Sequence, residues 1–263
     1  MTRAILAAVV TLSVAAPARA DLKLTQNVSG KGMGQGGTTV STTYIKGLKM
    51  RTDSVTNGTT RSTIFDVQNQ KMYIFDSKKK EADVWDMAAF GKQVGASVDP
   101  SEMTTSIKPN GQTKQVAGKT ATGYDMAISM PAHVGDAKDG MEMTVNLTGP
   151  LWIVKGAPGT QDYLQFYKAA AERGWIFGDP RAAKSSPGQA KAMAEMYRQF
   201  TETGGIPYET EMNIKMSGSG PMAAIMSRMG NITTTSSVQS TETTPLADDL
   251  FVPPAGYKLS EKK

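Results

Sequence analysis

The chain has 263 residues, 20% of them charged, with a formal net charge of +5, one histidine and no cysteine. Without cysteine or a second histidine there is no disulfide framework, no thiolate nucleophile, no ordinary zinc site and no triad. The charge is too small and too scattered for a nucleic-acid face, because its strongest basic run, Lys78 to Lys80, is followed at once by Glu81 and Asp83 and reads as a solvated turn.

Residues 1–20 begin with a basic start at Arg3, continue in an apolar run from Ala4 to Val14 and end on Ala18, Arg19 and Ala20, the small-x-small pattern of a signal-peptide cleavage site. The run is too short for a bilayer core of roughly 30 Å, and no later stretch approaches roughly 18 consecutive apolar residues. The expected product is exported, does not span a membrane and begins at Asp21. Residues 21–263 are then expected to form a single domain that buries its core without disulfides. An exported chain free of cysteine fits the bacterial periplasm.

A first strand is expected over residues 21–29, where Leu22, Leu24 and Val28 alternate with polar neighbours. Gly30 to Gly37 holds the spacing Gly32, Gly34, Gly37, but a Thr-rich β-type sequence follows where a dinucleotide site needs a helix. This stretch reads as a loop. From Tyr44 to Met87 short runs rich in Ile, Val, Tyr, Phe and Met are split by turn signals, the mark of an antiparallel meander. Strands are expected over residues 38–45, 48–55, 61–67, 71–75 and 82–87, with Asn57-Gly58 as a tight hairpin turn. Met72 and Ile74 would point to one side and Tyr73 and Phe75 to the other, so both faces of this sheet need cover.

Residues 88–110 read as a crossover with a turn or two of helix around Phe90 and Val94. Strands return at residues 112–116, 120–130, 141–147 and 151–154, with a polar loop carrying His133, Asp136 and Asp139. Two amphipathic helices follow. One starts at Thr160 as N-cap and presents Tyr163, Leu164, Phe166 and Tyr167; the other runs from about Gly188 to Thr203 with Met193, Met196, Tyr197 and Phe200 at helical spacing. A loop holding Trp175 and Phe177 joins them. Strands at 208–216 and 231–243, an ambiguous segment from Pro221 to Met229 and an apolar tail from Asp248 to Leu259 complete the chain.

Chemistry is sparse. His133 lies near Asp136, Asp139 and Glu142, whose spacing misses the EF-hand pattern, so a solvated loop is expected, with no metal and no cofactor. A carboxylate-pair hydrolase would need two facing acids, and nothing marks such a pair; the chain is expected not to be an enzyme. The 17 methionines stand out, clustered at Met126/Met130, Met141/Met143, Met193/Met196, Met212/Met216 and Met222/Met226/Met229. Three readings stay open for them: core residues in place of leucine, a deformable apolar cavity, or a thioether site for copper(I).

Four short motifs carry a resemblance. They are Tyr44-Ile45-Lys46-Gly47 with Lys49-Met50-Arg51, the hairpin from Lys71-Met72-Tyr73-Ile74 to Trp85-Asp86-Met87, Ala157-Pro158-Gly159 before the aromatic helix Tyr163 to Tyr167, and Leu250-Phe251 with Pro254-Ala255-Gly256-Tyr257-Lys258. In this order they resemble an exported bacterial family of unknown function whose fold is related to the LolA/LolB-like lipoprotein carriers. The resemblance implies a mainly β (α+β) fold, a curved antiparallel half-barrel closed by amphipathic helices over an apolar cavity. A sheet apolar on both faces with two amphipathic helices points to a binding or carrier protein for a lipid or other hydrophobic ligand; an envelope protein as partner belongs to the competing reading. Trp85, Met87, Leu164, Tyr167, Met193, Met196 and Phe200 are the expected cavity residues. The competing reading is a structural or interaction module of the envelope with a filled core.

Overall fold

The meander is present as β2 (Gln35–Lys46), β3 (Lys49–Thr56), β4 (Thr59–Asp66), β5 (Lys71–Asp76) and β6 (Glu81–Asp86), each antiparallel to the next. The computed structural model describes residues 21–32, 35–95, 103–134, 141–174, 180, 187–218 and 232–262. The expected leader, the loop residues Trp175 and Phe177, and the segment from Pro221 to Met229 lie outside them. The turn at Asn57 (φ 49°) and Gly58 (φ 70°) has both central residues left-handed, the backbone that matches the twist of the strands it joins.

The remaining strands are β1 (Leu22–Gly32), β7 (Thr104–Val116), β8 (Lys119–Val134), β9 (Met141–Lys155), β10 (Gly205–Gly218), β11 (Ile232–Thr243) and β12 (Lys258–Lys262). All join one sheet in the order β12-β6-β5-β4-β3-β2-β1-β11-β10-β9-β8-β7. Only β12 with β6 is parallel among the described pairs. Among the described residues three α-helices accompany it: α1 (Met87–Gly95), α2 (Thr160–Glu172) and α3 (Pro187–Glu202).

The sheet is open, and its helices show that it is curled. α1 packs on β6, α3 packs on β7 and β8, and α1 and α3 touch. From β6 to β8 is nine strand-to-strand steps, about 43 Å on a flat sheet at ~4.8 Å per step. Helices about 10 Å across meet over that span only if the sheet wraps around them. The result is a half-barrel with the helices inside its curve.

Strand parity then assigns the two faces. Met72, Ile74, Phe65 and Met50 join the core beneath α1 and α2. Ile64 and Phe75, with Tyr73 packed beside them, form a separate cluster with Phe251 on the other face. Both faces are therefore covered, but the outer one by the C-terminal tail, through its 3-10 turn at Asp248–Phe251, and not by an α-helix. Lys46 donates to the Leu246 carbonyl at 2.6 Å and Arg51 to that of Leu250 at 3.1 Å. The Arg51 guanidinium also lies 5.6 Å from the Phe75 ring centroid. The tail ends in β12, where the sequence suggests only an apolar tail.

Other differences have local causes. The glycine-rich stretch read as a loop is mostly strand, with Gly30 opposite Gly37 and Lys31 opposite Gly36. The backbone ladder needs no side chain, so repeated glycine weakens a strand without forbidding it. The two expected strands at 141–147 and 151–154 are one, β9, which passes Gly149 and Pro150 without breaking. A Cβ at Gly149 would lie 1.9 Å from the Glu211 carbonyl oxygen, so this close approach to β10 requires glycine. His133 belongs to β8, opposite Glu142 in β9, and not to a loop, while Asp136 and Asp139 lie outside the described residues.

Met87 opens α1 and does not end β6, because Asp86 caps the helix. Its Oδ1 accepts the backbone N–H of Ala88 and of Ala89, each at 3.0 Å. The Ala89 N–H first, then that of Ala88, holds the Asp86 carboxyl below its ordinary pKa. A depressed carboxylate stabilises the fold fully above the unfolded value of about 3.9 and loses that contribution as the pH falls through the lower folded value. Asp86→Ala is therefore expected to cost about 1 kcal/mol at pH 7 in urea denaturation. The gap between the two proteins should close below about pH 4; a gap that is the same at pH 3 and pH 7 would show that the charge plays no part.

Candidate functional site

The helices that line the inner face are fixed from both ends. α2 buries Tyr163, Phe166, Tyr167 and Ala170, the i, i+3, i+4, i+7 stripe of an amphipathic helix. Its N-cap is Gly159 (φ 75°) and not Thr160. A Cβ at Gly159 would lie 2.5 Å from Leu22 Cδ1, so glycine lets the helix start directly over β1. Thr160 instead donates its hydroxyl to the Ala157 carbonyl at 2.7 Å. At the far end Arg173 donates to the Val67 carbonyl at 2.8 Å.

α3 buries Ala192, Met196 and Phe200 and covers the edge strand β7. The Gln199 side chain accepts from the Ile107 N–H and donates to the Thr105 carbonyl, both at 3.0 Å. One amide thus occupies two outward backbone groups of an edge that would otherwise invite another strand. Glu195 accepts from Gln199 at 3.0 Å and is itself held by Arg198.

Two cores form under these helices. One packs α1 and α2 against the sheet, with Trp85, Phe90, Phe166 and Tyr208 among its members. The other packs α3 against β8 and β9, with Met126, Met130, Leu151, Met196 and Phe200. They meet through Tyr197, which packs against both. A cavity of about 190 Å³ lies at the seam, walled by Leu24, Tyr163 and Tyr167 of the first core and by Met126, Leu151, Met196 and Phe200 of the second.

The cavity has an apolar roof and a partly polar floor. α2 and α3 supply tyrosines and methionines: Tyr163, Tyr167, Met193, Met196 and Tyr197. The Tyr167 and Tyr197 rings stack at 4.8 Å with 9° between their planes, and the Tyr163 ring lies 4.5 Å from that of Tyr167, tilted by 46°. Burial pushes the Tyr197 phenol up to about 12. It pushes Tyr163 and Tyr167 up as well, with the neighbouring phenols adding to the shift. The roof is therefore uncharged at neutral pH. On the sheet side, β1, β2, β10 and β11 contribute Gln26, Thr43, Thr210 and Ser236, beside Pro207 and Met212. Thr210 and Ser236 share a hydrogen bond of 2.8 Å, and Thr43 and Thr52 one of 3.2 Å.

Four of the seven residues expected at a cavity meet there: Tyr167, Met193, Met196 and Phe200. The other three lie elsewhere. Trp85 sits in the first core, edge-on to Phe90 at 5.8 Å, and Met87 is buried in the same core. Leu164 faces an outer groove between α2 and α3, beside Gln161, Lys168 and Arg198. Tyr163, Tyr197, Met126 and Met212 were legible as aromatic helix positions or methionine clusters, although not as cavity walls. Gln26, Thr43 and Ser236 carried no signal, since polar residues on a strand read as solvent-facing.

No group of three or more His, Cys, Asp or Glu side chains placed to hold a metal occurs among the described residues. Among the same residues no helix is long and apolar enough to cross a membrane.

No family model matches the chain, and no curated protein matches it. Solved structures are similar to it at low identity. A LolA superfamily protein from Nitrosomonas europaea is 4% identical over 89% of this chain and 91% of its own, with a TM-score of 0.29. A domain from Vibrio parahaemolyticus, described as a putative outer membrane lipoprotein-sorting protein, is 9% identical over 89% and 90%, with a TM-score of 0.31. A structure of PNGF-II is 11% identical with a TM-score of 0.37 over 92% of this chain, which spans only 31% of that structure's length. The half-barrel itself rests on the strand order and the helix contacts given above.

Proposed function

We propose that the protein is a non-enzymatic binding or carrier protein that takes a hydrophobic ligand, a lipid or acyl chain, between α2, α3 and the inner face of the sheet. The observation that carries this reading is the seam: the two cores meet through Tyr197 but leave beside it a half-open recess lined by methionine and tyrosine. A filled-core envelope module would leave no such recess, concave and mostly apolar with a few polar groups, between its helices and its sheet. The volume of about 190 Å³ is below the ~300–1,000 Å³ of drug-sized pockets, so a long chain must part the helices. Met193 and Met196 suit that task, because unbranched thioether side chains repack at low cost.

The same reading places the protein in the periplasm after removal of residues 1–20, supported by the apolar run and the Ala18-Arg19-Ala20 site. Native mass spectrometry of protein purified from the exported fraction tests it. The expected result is a copurified hydrophobic molecule, released by detergent. A clean apo mass with no saturable uptake of a neutral hydrophobic dye would overturn the proposal. Stoichiometric copper(I) binding in place of a lipid would overturn it in favour of a thioether site built from Met126, Met193, Met196 and Met212.

A further inference from the structure

We infer that the ligand is an uncharged amphiphile, an alkyl or acyl chain ending in a hydroxyl, ester or amide, and that the cavity discriminates against a carboxylate head. This deepens the proposed function and rests on it. Among the described residues the lining contains no Lys, Arg, His, Asp or Glu, so none of them compensates a charge. A carboxylate taken into such a site gives up its hydration for no counter-ion, and such a group responds by binding a proton.

The polar floor points to the same class. The hydroxyls of Thr210 and Ser236 are bonded to each other, as are those of Thr43 and Thr52, and each such pair has one O–H left to donate. The Gln26 side chain lies at the wall with no hydrogen-bond partner among the described residues and offers both an N–H donor and a carbonyl acceptor. A floor of mixed donors and acceptors matches a head that can both donate and accept, or accept weakly, without charge. A carboxylate could accept from the same donors, but no cation among the described lining residues offsets its charge, so it keeps the full cost of desolvation that a neutral head avoids.

Size selects the probe. An engineered cavity of about 150 Å³ holds benzene, so about 190 Å³ takes a chain of about seven or eight carbons without moving a helix. The test is calorimetric titration of the delipidated protein with 1-octanol and with octanoate at pH 7.5, repeated at lower pH. Saturable 1-octanol binding is expected, with octanoate at least tenfold weaker and the gap narrowing as the pH falls toward the carboxylic-acid range of about 4–5. Gln26→Leu, on a half-buried strand position, should weaken 1-octanol about tenfold by leaving its hydroxyl without a partner, with thermal melting unchanged. Octanoate binding as tightly as 1-octanol at pH 7.5 would overturn the inference and leave the carrier reading standing. Failure of both probes, with no other neutral chain retained, would overturn both.

Discussion

Phe166→Ala is expected to remove about 3–5 kcal/mol of stability, a large share of the ~5–15 kcal/mol that holds a typical domain together. Phe166 is fully buried, lies edge-on to Tyr167 at 5.4 Å and belongs to the core beneath α2. The helix that carries it has little room to settle into the void. Its start is set over Leu22 by Gly159, and its end is tied to the Val67 carbonyl by Arg173. The cost of a large-to-small change grows with the cavity that survives relaxation, so a pinned helix gives the upper part of the range. Leu164→Ala is the comparison, since Leu164 on the same helix is only partly buried, lining the outer groove and packing at the margin of that core, and should cost less, about 1–2 kcal/mol. Urea midpoints read both. A loss below about 1.5 kcal/mol for Phe166→Ala would mean that α2 is not packed as described.

The parts of this fold that could be read from the sequence are those set by neighbours along the chain. The alternation of Met72, Tyr73, Ile74 and Phe75 fixes two apolar faces in four residues, and the clusters on either side of β5 follow it. Asn57-Gly58 fixes a hairpin in two. What was misread depends on partners far along the chain. Gly30 is held extended by pairing with Gly37 in β2 and Thr234 in β11, and β12 exists only because β6 offers it an edge. The cavity is the extreme case. Its floor residues Thr43, Gln26, Ser236 and Thr210 come from β2, β1, β11 and β10, adjacent only in the strand order of the finished sheet. Nothing local distinguishes Ser236 from the other hydroxyl residues of β11, whereas the roof residues sit on helix stripes that the sequence displays. Trp85 and Met87, expected at the cavity from a sheet apolar on both faces, lie on the β6 side in the core with α1, away from the seam.

Met212→Trp is expected to abolish ligand retention, at least tenfold in affinity, while leaving the fold as stable as before or about 0.5–2 kcal/mol more so. Met212 projects from β10 into the cavity and packs against the second core. A strand inside a sheet, bonded to β9 and β11, is a firmer mount than either helix. An indole placed there occupies the volume that a chain would fill, and filling a void restores contacts that its walls lack. The two substitutions therefore act in opposite directions on stability. Phe166→Ala opens a hole in a packed region and weakens everything above it, binding included. Met212→Trp closes an existing hole and removes binding alone. Retention is read by native mass spectrometry and by uptake of a neutral dye, and stability by urea. If Met212→Trp destabilises the protein by more than about 2 kcal/mol, the seam is packed like the rest of the interior and the filled-core module is the better description. If it leaves both stability and retention intact, the ligand sits elsewhere, and the outer groove beside Leu164 and Arg198 becomes the next surface to block.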